Sequence, residues 1–136
     1  MSDVIRAQVL AANRGFYDAL EALDMAAMEA CWASGADVAC VHPGGGWHRG
    51  WEDVAAGLEG IMANTGYIEF EIADVAVTLV DPLAWVTCVE RITSAGAEGR
   101  QAVAEVAATN LFVLDGSGWR MALHHASPII RMAGEQ

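Results

Sequence analysis

Apolar residues recur at Val4, Ile5, Val9, Ala12, Phe16, Ala19, Leu20 and Leu23, with Arg6, Gln8, Arg14 and Asp18 between them. Steps of three and four residues place such positions on one stripe of a helix. Ser2 and Asp3 precede the run and predict its N-terminal cap. Asp24 predicts the cap of a shorter second helix, with Met25, Met28 and Trp32 on one side and Ser34-Gly35 as its stop. A short strand is expected from about Asp37 to His42. A glycine loop leads to Gly50, and Trp51 to Ala63 reads as a third helix striped by Val54, Leu58, Ile61 and Met62.

Beyond Gly66 the period changes. Tyr67 to Val80 is rich in β-branched and aromatic residues, and Asp81-Pro82 turns the chain. Strands are expected at Ala84 to Thr93, Val103 to Leu114 and Trp119 to Ile130, with Pro128 near the last strand's end. Ser94 to Gly99 forms one connection and Asp115-Gly116-Ser117-Gly118 a tighter hairpin turn. Helices first and an antiparallel meander afterwards define an α+β fold, with three N-terminal helices packed on a mainly antiparallel sheet. Several strands are apolar on both faces. The helices can cover one face, and a second copy of the chain is the expected cover for the other, giving a homodimer through the outer sheet face.

A chain of 136 residues, with no linker, repeat or low-complexity tract, is expected to form one domain over 1–136. The hydrophobic fraction is 54%, much of it alanine, yet no apolar run approaches the roughly 20 residues of a membrane span. A net charge of -11 disfavours phosphate backbones and anionic lipid, so neither nucleic acid nor membrane is an expected partner. Cys31, Cys40 and Cys88 are odd in number, lie in apolar contexts and lack C-x-x-C spacing. They read as small core residues in a reducing compartment. The opening M-S-D-V-I-R-A-Q carries no basic-then-apolar segment, so a cytoplasmic location is expected.

The segment V-A-C-V-H-P-G-G-G-W-H-R-G-W, residues 38–51, concentrates the candidate chemistry. Val38, Cys40 and His42 share a strand face, which sets an imidazole at the end of an apolar surface beside a glycine loop. His42 is a candidate base; the alternative is an imidazole bonded to the loop backbone. Glu90 shares a face with Val86, Cys88 and Ile92, where a carboxylate needs a partner or a wet cavity. It is a candidate partner for His42, or else forms an ion pair with Arg91 of the partner subunit or with another arginine. Asn110 lies with Ala108, Phe112 and Leu114, either donating to a substrate oxygen or tying strands together. Phe16, Tyr17, Trp32, Trp47, Trp51 and Met62 are candidate walls for a flat or apolar ligand, against ordinary core packing. No histidine spacing matches a metal site and the glycine loop does not fit a nucleotide cradle, so neither metal nor cofactor is expected.

The order of these motifs resembles the nuclear transport factor 2-like superfamily, and within it the SnoaL-like and ketosteroid isomerase-like branches. The residues that carry the resemblance are A-L-D-M-A-A-M-E-A-C-W, D-V-A-C-V-H-P-G-G followed by G-W-E-D-V, and N-L-F-V-L-D-G-S-G-W-R-M-A-L-H-H-A-S-P. The resemblance implies a curved sheet wrapped round helices as a cone-shaped barrel, an apolar pocket and frequent dimers. It sets His42 where the isomerase branch has a general-base aspartate. Phe16, with Tyr17 adjacent, stands in place of an oxyanion-binding tyrosine, and Asn110 in place of a protonated aspartate. By the same register His125 is expected to face inward and His124 outward, unless a bulge intervenes. The implied function is a pocket for a small apolar carbonyl compound. His42, Glu90, Asn110 and His125 would then carry proton transfer of isomerase, cyclase or dehydratase type. The alternative is a non-catalytic ligand sensor or dimeric assembly module.

Overall fold

The computed structural model describes residues 1–132. Helix α1 spans Asp3–Ala22 and α2 Met25–Cys31; strands β1 (Ala39–Val41) and β2 (Trp47–Arg49) precede α3 (Trp51–Ala63). Four long strands follow: β3 (Thr65–Val80), β4 (Leu83–Gly96), β5 (Gln101–Asp115) and β6 (Gly118–Pro128). They form one six-stranded sheet in the order β2-β1-β6-β5-β4-β3. All neighbours are antiparallel except β1 and β6, because the chain crosses over through α3 and the meander before β6 returns beside β1. This is the expected α+β architecture, with β2 as an addition that the glycine-rich sequence did not announce.

Local chemistry sets the helix ends. The Ser2 hydroxyl accepts from the Ile5 N–H at 3.1 Å, and the Asp24 carboxylate accepts from the Ala27 N–H at 3.0 Å. Between these helices Leu23 takes a left-handed conformation (φ 52°) and caps the end of α1. The buried stripe of α1 is Val9, Asn13, Phe16, Tyr17, Ala19 and Leu20. It packs against Val86, Phe112 and Met121 on the sheet, with Met28, Val54 and Leu58 closing the core from α2 and α3. Each large side chain fully removed from water contributes about 1.5–3 kcal/mol.

Extra residues re-phase the strands at three points: Gly66 at the start of β3, a second place in β3 and one in β6. In β3, Ala73 pairs with Val89 but Ala76 with Thr87, so one additional residue lies between them, and Asp74 has φ 51°. Ile72 and Val75 therefore both pack inward. In β6, Leu123 pairs with Leu111 but Met121 with Phe112, leaving Ala122 as the additional residue. Met121 and His124 are both buried in consequence, which strict alternation forbids. No helix among the described residues is long and apolar enough to cross a membrane.

Candidate functional site

The strand-end imidazole is held by the turn that follows it. The Gly45 N–H donates to the His42 carbonyl at 2.9 Å across Pro43-Gly44, and Gly44 has φ 79°. Proline second and a left-handed glycine third suit a tight turn of type II. His42 is half-buried, its Nε2 lies 3.4 Å from Cys40 Sγ, and its ring is 6.0 Å from that of His124 and 5.8 Å from that of His48.

Behind it, a polar chain crosses the core from α1 to β6. Asn110 and His124 are directly opposite on β5 and β6, and His124 Nδ1 is 2.6 Å from Asn110 Oδ1. The Asn110 amide donates to Asn13 Oδ1 at 2.8 Å and to the Tyr17 hydroxyl oxygen at 3.0 Å. Tyr17 in turn donates to Glu90 Oε2 at 2.5 Å. Asn13, Glu90, Asn110 and His124 are each at most 3% exposed. A polar group so buried is tolerable only when bonded, so the chain satisfies itself across four elements, α1, β4, β5 and β6.

His42, Glu90 and His124 meet at a cavity of about 100 Å³, whose other walls are Leu20, Pro43, Ile61, Ile68, Phe70 and Ile92. The surroundings push the charged forms away. Burial, then His48, lowers the His42 pKa to about 4. Burial, then His42 and His125, lowers that of His124 to about 3. Burial raises Glu90 to about 7, partly offset by the Tyr17 bond. Two neutral imidazoles and a carboxyl that titrates near neutrality thus share one apolar space. Burial also pushes the Cys40 and Cys88 thiols up to about 12 and about 11, so neither is a thiolate at neutral pH.

Several sequence expectations are corrected in detail. His125 does not face inward: the Ala122 bulge turns His124 in and leaves His125 on the outer face, edge-on to Trp47. Asn110 lies behind His124 rather than against the cavity, with both amide hydrogens already donated. Glu90 bonds Tyr17 within the chain, and Arg91 of the same chain bonds Glu71 and Glu105 on the exposed side. Phe16, Tyr17, Trp32, Trp47, Trp51 and Met62 are all absent from the cavity wall. Phe16 and Tyr17 meet edge to face at 5.1 Å and are fully buried core, Trp32 and Trp51 border a separate surface groove, and Met62 packs on the core's edge. Trp47 is half-exposed beneath the Arg49 guanidinium.

His124 and Asn13 were the residues missed. The signal for Asn13 was its position four residues from Val9 and from Tyr17, on the apolar stripe of α1. Among the described residues no group of three His, Cys, Asp or Glu side chains is placed to hold a metal ion.

Comparison with known proteins places this geometry. Residues 9–131 match the SnoaL-like domain family, and the chain belongs to it. A candidate dehydratase of the nuclear transport factor 2-like family from Streptomyces avermitilis is 36% identical, covering 96% of this chain and 100% of its own, with TM-score 0.89. A candidate calcium/calmodulin-dependent protein kinase type II association domain from Thiobacillus denitrificans is 32% identical over 88% of this chain and 94% of its own, with TM-score 0.78. A ketosteroid isomerase-like protein from Erwinia carotovora atroseptica shares the fold at 22% identity, covering 96% of this chain and 100% of its own, with TM-score 0.79. No curated protein matches the chain.

The Glu90 carboxyl makes a stability prediction with a definite sign. Its folded pKa of about 7 stands above its ordinary 4.5, so the folded state binds this proton more tightly. That contribution is present below the ordinary value and is lost as pH rises through the folded one. Glu90→Gln keeps an oxygen for the Tyr17 hydroxyl and has no charge to bury. Between pH 5 and pH 8.5 the stability difference should move by about 3 kcal/mol in favour of the glutamine variant, measured by urea unfolding. A difference that stays constant across that range refutes the assignment.

Proposed function

We propose that the chain catalyses proton transfer on a small, apolar, carbonyl-containing compound, without a cofactor. The observation that carries this reading is the convergence of His42, Glu90 and His124 on one otherwise apolar cavity. His42 acts as base and takes a proton from the carbon next to the carbonyl. Glu90, in its acid form, gives its proton to an oxygen of the substrate. Where that oxygen is a hydroxyl, its bond to carbon breaks, water leaves and the C–H electrons become the new double bond. Where it is the carbonyl, an enol forms and can return its proton elsewhere. The similarity to a candidate dehydratase supports the first course. A neutral base and a neutral acid in the same site at the same pH is the condition that such chemistry needs.

The runner-up reading is a ligand-sensing or assembly module, supported by the similarity to an association domain. Both readings include a second copy on the outer sheet face. That face carries an open groove of about 590 Å³ lined by Thr87, Val89, Thr109, Leu123 and His125. Leu123→Glu should convert a dimer into a monomer in sedimentation velocity; a wild-type monomer removes this element.

For the enzyme reading, exchange of the α-hydrogens of simple β-hydroxy ketones in heavy water provides the assay. His42→Ala should slow exchange by roughly a hundredfold, and a loss below about tenfold takes His42 out of the mechanism. His42 is the base form above about 4, and Glu90 the acid form below about 7, so the wild-type rate should plateau between them and fall on either side. Glu90→Gln should abolish the fall on the alkaline side. An unchanged alkaline limb would assign it to another group.

A further inference from the structure

Asn13 is a buried polar side chain to which the proposed chemistry gives no step. It sits on α1, one turn before Tyr17, and it is 3% exposed. Its Oδ1 accepts from the Asn110 amide, and the Tyr17 oxygen accepts from the same amide. An amide has two N–H groups, so α1 takes both.

The direction of this chain follows from its far end. At pH 7.5, above the Glu90 value of about 7, the carboxylate can only accept, so Tyr17 donates to it and offers Asn110 a lone pair. The Asn110 NH2 must therefore face α1, and its carbonyl must face His124. A carbonyl oxygen can only accept, so the hydrogen at the 2.6 Å contact belongs to His124 Nδ1. A neutral imidazole carries one such hydrogen, which leaves Nε2 bare. Turning the Asn110 amide over would set its oxygen against the Asn13 carbonyl oxygen and against a hydroxyl whose hydrogen is committed to Glu90.

We propose that Asn13 is a positioning residue: with Tyr17 it clamps the Asn110 amide, fixing His124 as the Nδ1–H tautomer with a bare Nε2 at the cavity. The tautomer itself does not depend on the chemistry proposed above. Its use as a second proton acceptor or as a ligand-orienting group rests on that reading. Asn13 acts through Asn110 alone and has no place on the cavity wall. Its isostere Asn13→Asp keeps the acceptor, whereas Asn13→Leu removes it and frees the amide to turn.

Long-range proton–nitrogen NMR of the histidine rings at pH 7.5 reads this tautomer on the protein alone, with no substrate. Wild type and Asn13→Asp should show a single Nδ1–H form for His124. Asn13→Leu should shift the pattern toward a mixture with the Nε2–H form. A wild-type His124 in the Nε2–H form overturns the proposal, and so does an Asn13→Leu spectrum identical to wild type. If Asn13→Leu does not fold, Asn13→Ala replaces it with the same two outcomes. Failure of the ketone-exchange assay leaves this readout untouched, so the tautomer and the proposed catalysis stand or fall separately.

Discussion

Asn110 is an amide with no exposed surface, set among apolar side chains, and the site is organised by the need to satisfy it. Leaving such a group unbonded costs about 1–3 kcal/mol per donor or acceptor. Its two hydrogens reach α1 and its oxygen reaches β6, so one residue of β5 fixes the helix against the sheet. Apolar packing of Phe16, Leu20 and Phe112 supplies most of the attraction between these layers. Packing alone tolerates sliding by a fraction of a side chain, whereas three bonds at 2.6–3.0 Å do not.

The same constraint determines the cavity. Tyr17 is drawn back to meet both Asn110 and Glu90, so its ring lies beside Phe70 at 4.9 Å and its hydroxyl is spent inside the core. Burial and the Glu90 charge hold that phenol far above its ordinary pKa, so it remains a hydroxyl. What faces the empty space is one side of Glu90, two imidazoles and an aliphatic wall closed by Phe70. The space is small because the large aromatic residues are committed elsewhere.

The sequence revealed the helices and the order of the strands because each depends on local signals. Ser2 and Asp24 are caps, and the stripe from Val54 to Met62 has one period. The turn at Asp115–Gly118 is likewise written in its residues. Strand β2 was hidden because Trp47, His48 and Arg49 have no apolar alternation; they form a strand only because β1 offers its edge. The inward histidine was hidden for a related reason. Ala122 carries no glycine or proline to announce a bulge, and the step it adds is set by the partner strand. The aromatic residues were legible as buried, but whether a buried ring lines a cavity or fills the core is decided by distant neighbours. Phe16 and Trp32 fill it, whereas Phe70, on an ordinary strand position, lines the cavity.

The departures from the isomerase-like identities fit one electrostatic pattern. An aspartate at position 42 would add a second carboxylate to a cavity that already holds Glu90, and two such charges in apolar surroundings repel. An imidazole there is uncharged before reaction, and His124 is likewise uncharged. Under the proposed chemistry a proton leaves Glu90 for the substrate oxygen while another reaches His42 from carbon. The neutral pair becomes an imidazolium and a carboxylate facing across one small space. The cavity holds no net charge at either stage, so no ion need be drawn from or released to water during the step. The attraction between the two new charges, strengthened by the surrounding apolar wall, offsets the cost of forming them there. Under the proposed chemistry a neutral acid and a neutral base thus suit a small apolar cavity, which a pair of carboxylates would not.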